Sequence, residues 1–252
     1  MLKADITFLG HSTVLVEMGK TRVLTDPVLH DRVTMLRRAV TPLPDELYRD
    51  IDFVVISHMH HDHLDLRSLR MLGTDTPLIV PVGAGAYVRR AGFREVSELA
   101  VGKSETVAGV TITTTPAEHS GFRPPFGPSA EAVGYVLDHD SERVYFAGDT
   151  DIFPAMADLA GIDLALLPVW GWGPRLGPGH MDPERAAEAA RVLQPRAAVP
   201  IHWGTLWPLG MGRVMPQRLS RPPLDFAAAA ERHAPEVRVL LTPPGESVPI
   251  PR

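Results

Sequence analysis

The segment 52-DFVVIS-57 runs straight into 58-HMHHDH-63, and this junction constrains the fold more than any other feature of the chain. A near-continuous apolar run of strand length is expected where a sheet is covered on both faces, so the junction predicts a layered α/β architecture. The stretch 57-SHMHHDHLD-65 holds four histidines and two aspartates at the exit of that buried strand. One local run does not decide between a metal site and a solvated polar loop. Partners that close a coordination shell must come from elsewhere in the chain.

The hydrophobic pattern supplies the scaffold. Strands are predicted at 5–10, 12–17, 21–26, 52–57 and 78–82, in a β-rich middle at 105–117, 131–138 and 143–149, and at 163–169, 197–202 and 237–241. Helices are predicted at 64–72, where Gly73 can end the run, and at 84–92, 182–193 and 224–234. The helix at 182–193 has the clearest start, with Asp182 as N-cap and Pro183 at the first helical position. This order fits two packed β-sheets covered by helices, although periodicity alone does not separate it from other α/β layerings.

The 252 residues suffice for one large domain. The prolines cluster in 122-FRPPFGP-128, 174-PRLGP-178 and 221-RPP-223, which read as ordered loops, so a single domain over 1–252 is expected. A formal charge of −5 gives no reason to expect nucleic acid as a partner. The chain has no cysteine, which excludes disulfides and thiolate ligands, so any metal is held by nitrogen and oxygen. No leader peptide and no membrane-spanning run is expected, and a cytoplasmic protein is the default.

Three later residues share one placement. His119 follows the strand ending at 117, Asp149 ends a strand, and so does His202. Strand-end loops at one rim are where layered folds gather functional residues. Alternate side chains of a strand-exit loop can aim at two neighbouring points. His58, His60 and His119 are therefore candidates for one metal, Asp62, His63 and His202 for a second, with Asp149 between them. His61 is expected to point away.

This layout resembles the metallo-β-lactamase superfamily, whose HxHxDH motif is matched in full at His58, His60, Asp62 and His63. The resemblance extends over nearly the whole chain. It implies a four-layer αββα sandwich of two mixed β-sheets flanked by helices, with the metal site at one rim. It also implies two divalent ions, zinc or alternatively manganese, and hydrolysis by a hydroxide bridging them, with Asp62 orienting the nucleophile and shuttling its proton. The segments 8-FLGHSTVLVE-17, 24-LTDP-27, 178-PGHMDPERA-186 and 201-IHWGT-205 resemble the branch that contains N-acyl-phosphatidylethanolamine phospholipase D and ascorbate-6-phosphate lactonase. That branch implies phosphodiester cleavage on a lipid-like substrate. A lactonase or carboxylic-ester hydrolase acting on a small substrate, phosphorylated or not, is the alternative, and a non-catalytic metal-binding protein a third.

Other residues are candidates for supporting roles. His180, just before the helix at 182, can donate a proton or contact substrate. Asp26 can orient a ligand histidine through its second ring nitrogen. His11 in GHS is read the same way. Trp170, Trp172 and Trp207, with Leu206, Leu209, Met211 and Met215, can line an apolar mouth. His30, His139 and His233 read as surface histidines, and Arg32, Arg37 and Arg38 as a solvated face. No GxSxG elbow is present, so a serine nucleophile is not expected. An oligomer remains open.

Overall fold

The computed structural model describes residues 5–41, 44–211 and 214–251. In chain order its strands are β1 (Asp5–Gly10), β2 (Thr13–Met18), β3 (Thr21–Thr25), β4 (Arg32–Val33), β5 (Leu36–Arg38), β6 (Phe53–Val55), β7 (Leu78–Pro81), β8 (Val96–Leu99) and β9 (Ser104–Val107). They continue with β10 (Val110–Pro116), β11 (Val133–His139), β12 (Glu142–Phe146), β13 (Leu164–Pro168), β14 (Ala197–Ile201), β15 (Leu206–Pro208), β16 (Arg238–Val239) and β17 (Ser247–Pro249). The helices are α1 (Leu66–Leu72), α2 (Gly85–Arg90), α3 (Pro183–Leu193), α4 (Gln217–Ser220) and α5 (Pro222–His233).

Two mixed seven-stranded sheets carry the fold. The first has the order β17-β1-β2-β3-β6-β7-β8 and the second β16-β14-β13-β12-β11-β10-β9. Each is antiparallel on one side and parallel on the other: β3, β6, β7 and β8 run parallel in the first, and β12, β13, β14 and β16 in the second. Three apolar layers hold the stack. Phe8, Phe53, Tyr135 and Phe146 are buried between the sheets, each large apolar side chain contributing about 1.5–3 kcal/mol. Ala186, Ala187, Ala189 and Ala190 of α3 pack with Phe226 of α5 over the second sheet. Leu69 of α1 and Val88 of α2 pack over the first. The result is the expected four-layer αββα sandwich.

Local chemistry sets the element ends. Asp65 caps α1 by accepting from Ser68 N, so the helix begins two residues later than its leucine spacing suggests. Asp182 caps α3 in the same way, accepting from Arg185 N at 2.8 Å, with Pro183 in the first turn. The β-rich segment at 105–117 is a hairpin, not one strand, and it turns at Ala108 and Gly109, both with positive φ as a tight two-residue turn requires. The prediction missed the two- and three-residue strands β4, β5 and β15. They form a third sheet in the order β15-β5-β4, backed by Val28, Val33, Leu36 and Leu206. It also missed β8 and β17, the edge strands of the first sheet. Among the described residues no helix is long and apolar enough to cross a membrane.

Candidate metal centre

The functional side chains gather where strands of both sheets stop. His11 follows β1, Asp26 follows β3 and residues 57–65 follow β6, all in the first sheet. His119 lies beyond β10, Asp149 beyond β12 and His202 directly after β14, all in the second. Tyr135 ties the sheets together just behind this rim, donating its hydroxyl to Ile56 O at 2.8 Å.

Two groups of donor atoms result. His58 Nε2 lies 2.9 Å from His60 Nδ1, which lies 3.1 Å from His119 Nε2. His63 Nε2 and His202 Nε2 are 3.2 Å apart, and Asp62 Oδ2 stands 3.7 Å and 3.8 Å from them. Asp149 lies between the groups. Its Oδ2 is 3.2 Å from His63 Nε2 and 4.0 Å from His119 Nε2, and its Oδ1 is 3.3 Å from His202 Nε2. The structure thus brings together all seven residues that the sequence singled out.

Hydrogen bonds aim these rings. His63 Nδ1 donates to Asp26 Oδ2 at 2.7 Å, His119 Nδ1 to Gly179 O at 2.8 Å and His202 Nδ1 to Trp170 O at 2.8 Å. His58 Nδ1 donates to Ser57 Oγ at 2.9 Å, and that hydroxyl donates to Asp26 Oδ2 at 2.5 Å. Each bond occupies Nδ1 and leaves Nε2 facing the centre, the usual way a ligand imidazole is oriented. Asp26 therefore supports both groups, one directly and one through Ser57.

Electrostatics fit a cation. Burial keeps His58 well below the ordinary imidazole range and lowers His60, and it brings His119 to about 4, so these rings are neutral, as metal binding requires. Burial opposes the charge on Asp62 and Asp149, but His63 beside Asp62, and His202 and His63 beside Asp149, hold both carboxyls well below their usual range. Burial likewise opposes protonation of His63, yet the two carboxylates outweigh it and hold the ring well above its usual range. Asp149 Oδ1 is buried with no hydrogen-bond partner among the described residues, which suits an oxygen placed for an ion. Imidazole and carboxylate donors suit divalent first-row ions.

The rim is held under backbone strain. His11, Asp26 and His202 have φ of 56°, 34° and 61°, a left-handed conformation that disfavours side-chain-bearing residues. Surrounding bonds impose it: His202 N donates to His11 O at 2.7 Å, and His11 N to Thr205 Oγ1 at 2.8 Å. Gly148, before Asp149, has φ +62°, and a Cβ there would stand 2.6 Å from Ser57 Cβ, so only glycine fits. His11 Nε2 lies 2.9 Å from Asp62 Oδ2. His180 Nε2 lies 3.3 Å from Asp149 Oδ2.

A cleft of about 460 Å³ opens above these residues, reaching His60, Asp62, Asp149, His180 and His202. Its walls differ from the expected aromatic mouth. Trp172 lines it, but Trp207 does not: it is 3% exposed in β15, paired with Arg37. Trp170 is also buried, its indole donating to Gly173 O and its carbonyl holding His202. Residues 33–36 of the β4–β5 hairpin also line it, a contribution that two- and three-residue strands do not announce. His61 turns away from both donor groups, with Nε2 on Pro124 O at 2.8 Å, and borders the cleft.

Three further positions depart from expectation. His30 is half-buried against the helix cap, 2.6 Å from Asp65 Oδ2. Arg38 is buried and donates to Leu9 O and Val28 O, joining the hairpin to the ends of β1 and β3. Arg123, which no local pattern marks, is 6% exposed and donates from one nitrogen to Met59 O at 2.7 Å and Leu64 O at 2.9 Å. It clasps both ends of the segment that carries His60, Asp62 and His63.

The chain matches the beta-lactamase superfamily domain over residues 21–203. It is 32% identical to a metal-dependent hydrolase of Methanopyrus kandleri over 96% of this chain and 98% of that protein. It is also 32% identical to N-acyl-phosphatidylethanolamine-hydrolyzing phospholipase D 1 of Caenorhabditis elegans, over 81% of this chain but only 64% of that longer protein. The solved structure of a metallo hydrolase from Ignicoccus hospitalis superposes with a TM-score of 0.76 at 26% identity, covering 98% of both chains.

Proposed function

The chain belongs to the metallo-β-lactamase superfamily of metal-dependent hydrolases, and on that premise we propose that it is a binuclear hydrolase of phosphodiester bonds. The placement of Asp149 between two donor groups carries the binuclear reading. The similarity to the C. elegans phospholipase D supports a phosphodiester as the scissile group.

His58, His60 and His119 would hold one ion, Asp62, His63 and His202 the other, and Asp149 both. Two divalent ions, zinc or alternatively manganese, would supply Lewis acidity and lower the pKa of water to about 7. Asp62 faces the cleft, fixed by His11, and is placed to orient the attacking water and take its proton. His180 faces the same cleft. Burial opposes its protonation, but the hydrogen bond to Asp149 and that carboxylate's charge raise its pKa above the usual value. This favours the protonated ring, and His180 Nε2 can pass a proton to the departing alkoxide. Water adds to phosphorus, one P–O bond breaks, and a phosphomonoester and an alcohol result.

The test is side-by-side hydrolysis of a generic phosphodiester and a generic lactone by zinc- and manganese-loaded protein, with metal content measured. The expected result is two equivalents of metal, diester cleavage, and loss of cleavage in Asp149→Ala. A single equivalent would overturn the binuclear reading, and lactone opening alone would overturn the diester reading.

A further inference from the structure

We infer that the β4–β5 hairpin and Trp172 form a slot selecting compact esters with one short apolar arm, rather than two-tailed lipids or phosphorylated sugars. The inference rests on the reading above and names the substrate class of the same site.

Met35 is 64% exposed and Trp172 37%, two large apolar side chains left in water on the walls of the cleft. Exposed apolar groups that rim a cavity mark surfaces meant to be covered. The hairpin wall is braced. Val33 and Leu36, on either side of the tip, are each 3% exposed and pack with Val28 and Leu206. β5 also pairs along its length with β15. Met35 is thus presented by a braced hairpin, as a preformed recognition surface requires. Leu176 and Pro124 extend the apolar lining.

Two absences among the lining residues narrow the class. Among the described residues, Arg175 is the one lysine or arginine bordering the cleft. A phosphorylated sugar would need a second anion site and partners for several hydroxyls, and the wall facing the donor residues offers mainly apolar side chains instead. The cleft's volume of about 460 Å³ lies toward the small end for ligand sites, which favours one short arm over two long acyl chains.

The test uses the zinc-loaded 252-residue chain and binding calorimetry with four probes: methylphosphonate, hexylphosphonate, glucose 6-phosphate and didecanoyl phosphatidate. Full burial of a methylene strengthens binding by up to about fourfold. Partial burial of the hexyl arm should therefore tighten binding at least about tenfold over methyl. That ratio should fall below about threefold in Met35→Ser and in Trp172→Ser. If one variant misfolds by circular dichroism, the other carries the test. Equal affinity for the methyl and hexyl probes overturns the slot, as does tighter binding of glucose 6-phosphate or of the two-tailed probe, or no binding by any probe. Affinity does not depend on which bond is cut. A flat ladder with diester turnover sinks the slot alone, and a steep ladder without turnover sinks the diester reading alone.

Discussion

His58, His60 and His119 converge on one point and Asp62, His63 and His202 on another, yet the two groups are built differently. The second contains its own carboxylate, is buried throughout, and rests directly on Asp26. The first has no carboxylate of its own, two of its three imidazoles are only partly buried, and its link to Asp26 passes through the neutral hydroxyl of Ser57. Charge, burial and bracing all favour the second group. The two donor groups are therefore asymmetric: one closed and braced, one more open, and among the described residues Asp149 is the carboxylate lying between them.

The sharpest way to break this picture is Asp149→Ala. Losing the shared carboxylate removes several kcal/mol of charge complementarity, so diester turnover should fall by about a thousandfold or more. A loss below tenfold would mean the two groups do not depend on Asp149. Asp26→Asn comes next. It weakens the direct brace on His63, and metal affinity measured against a chromogenic chelator should fall about 10–100-fold. Ser57→Ala should cost less than Asp26→Asn, and equal losses would erase the proposed asymmetry.

Arg123→Met tests the segment that both groups share. It strands the carbonyls of Met59 and Leu64 in a buried setting. Stability should drop by about 2 kcal/mol, read as a lower denaturation midpoint. Arg123→Lys should recover part of it.

The last test is a pH slope in protein stripped of metal. His119 is lowered to about 4 and His11 to about 3, both by burial first, and His58 and His60 are lowered as well. A depressed imidazole pKa means the unfolded chain binds more protons as pH falls from about 6.5 to about 4, so stability is lost in that window. His63 and His180 are raised; their contribution is complete below about 6.5 and is lost only as pH rises through their folded pKa values, so it does not offset the slope. Each lowered ring adds up to about 1.4 kcal/mol per pH unit, and His119→Gln should remove one such share of the slope. An unchanged slope would show that His119 does not contribute to it.

How much of this was legible depended on range. Residues 58–63 could be read directly, because four donors sit in one run at the end of a buried strand. His119, Asp149 and His202 could be read because each stands where an apolar strand stops. Arg123 could not: its role exists only because residues 121–130 fold over residues 59–64, a contact no local period records. The β4–β5 hairpin was missed for the opposite reason, being too short to show any period. Trp207 was misplaced because an aromatic residue in a glycine-rich loop reads alike whether it turns inward or outward. Its pairing with Arg37 across β15 and β5 turned it inward.

The donor residues are divided between the two sheets, and this fixes when the centre can come into being. His63 meets His202 across 139 positions of chain. A ribosome delivers residues 57–65 first, so four closely spaced histidines emerge before His119 exists to complete one donor group and long before His202 exists to complete the other. Contacts of such long sequence separation form late. An ion bound by residues of both sheets would thus report that the two halves have docked.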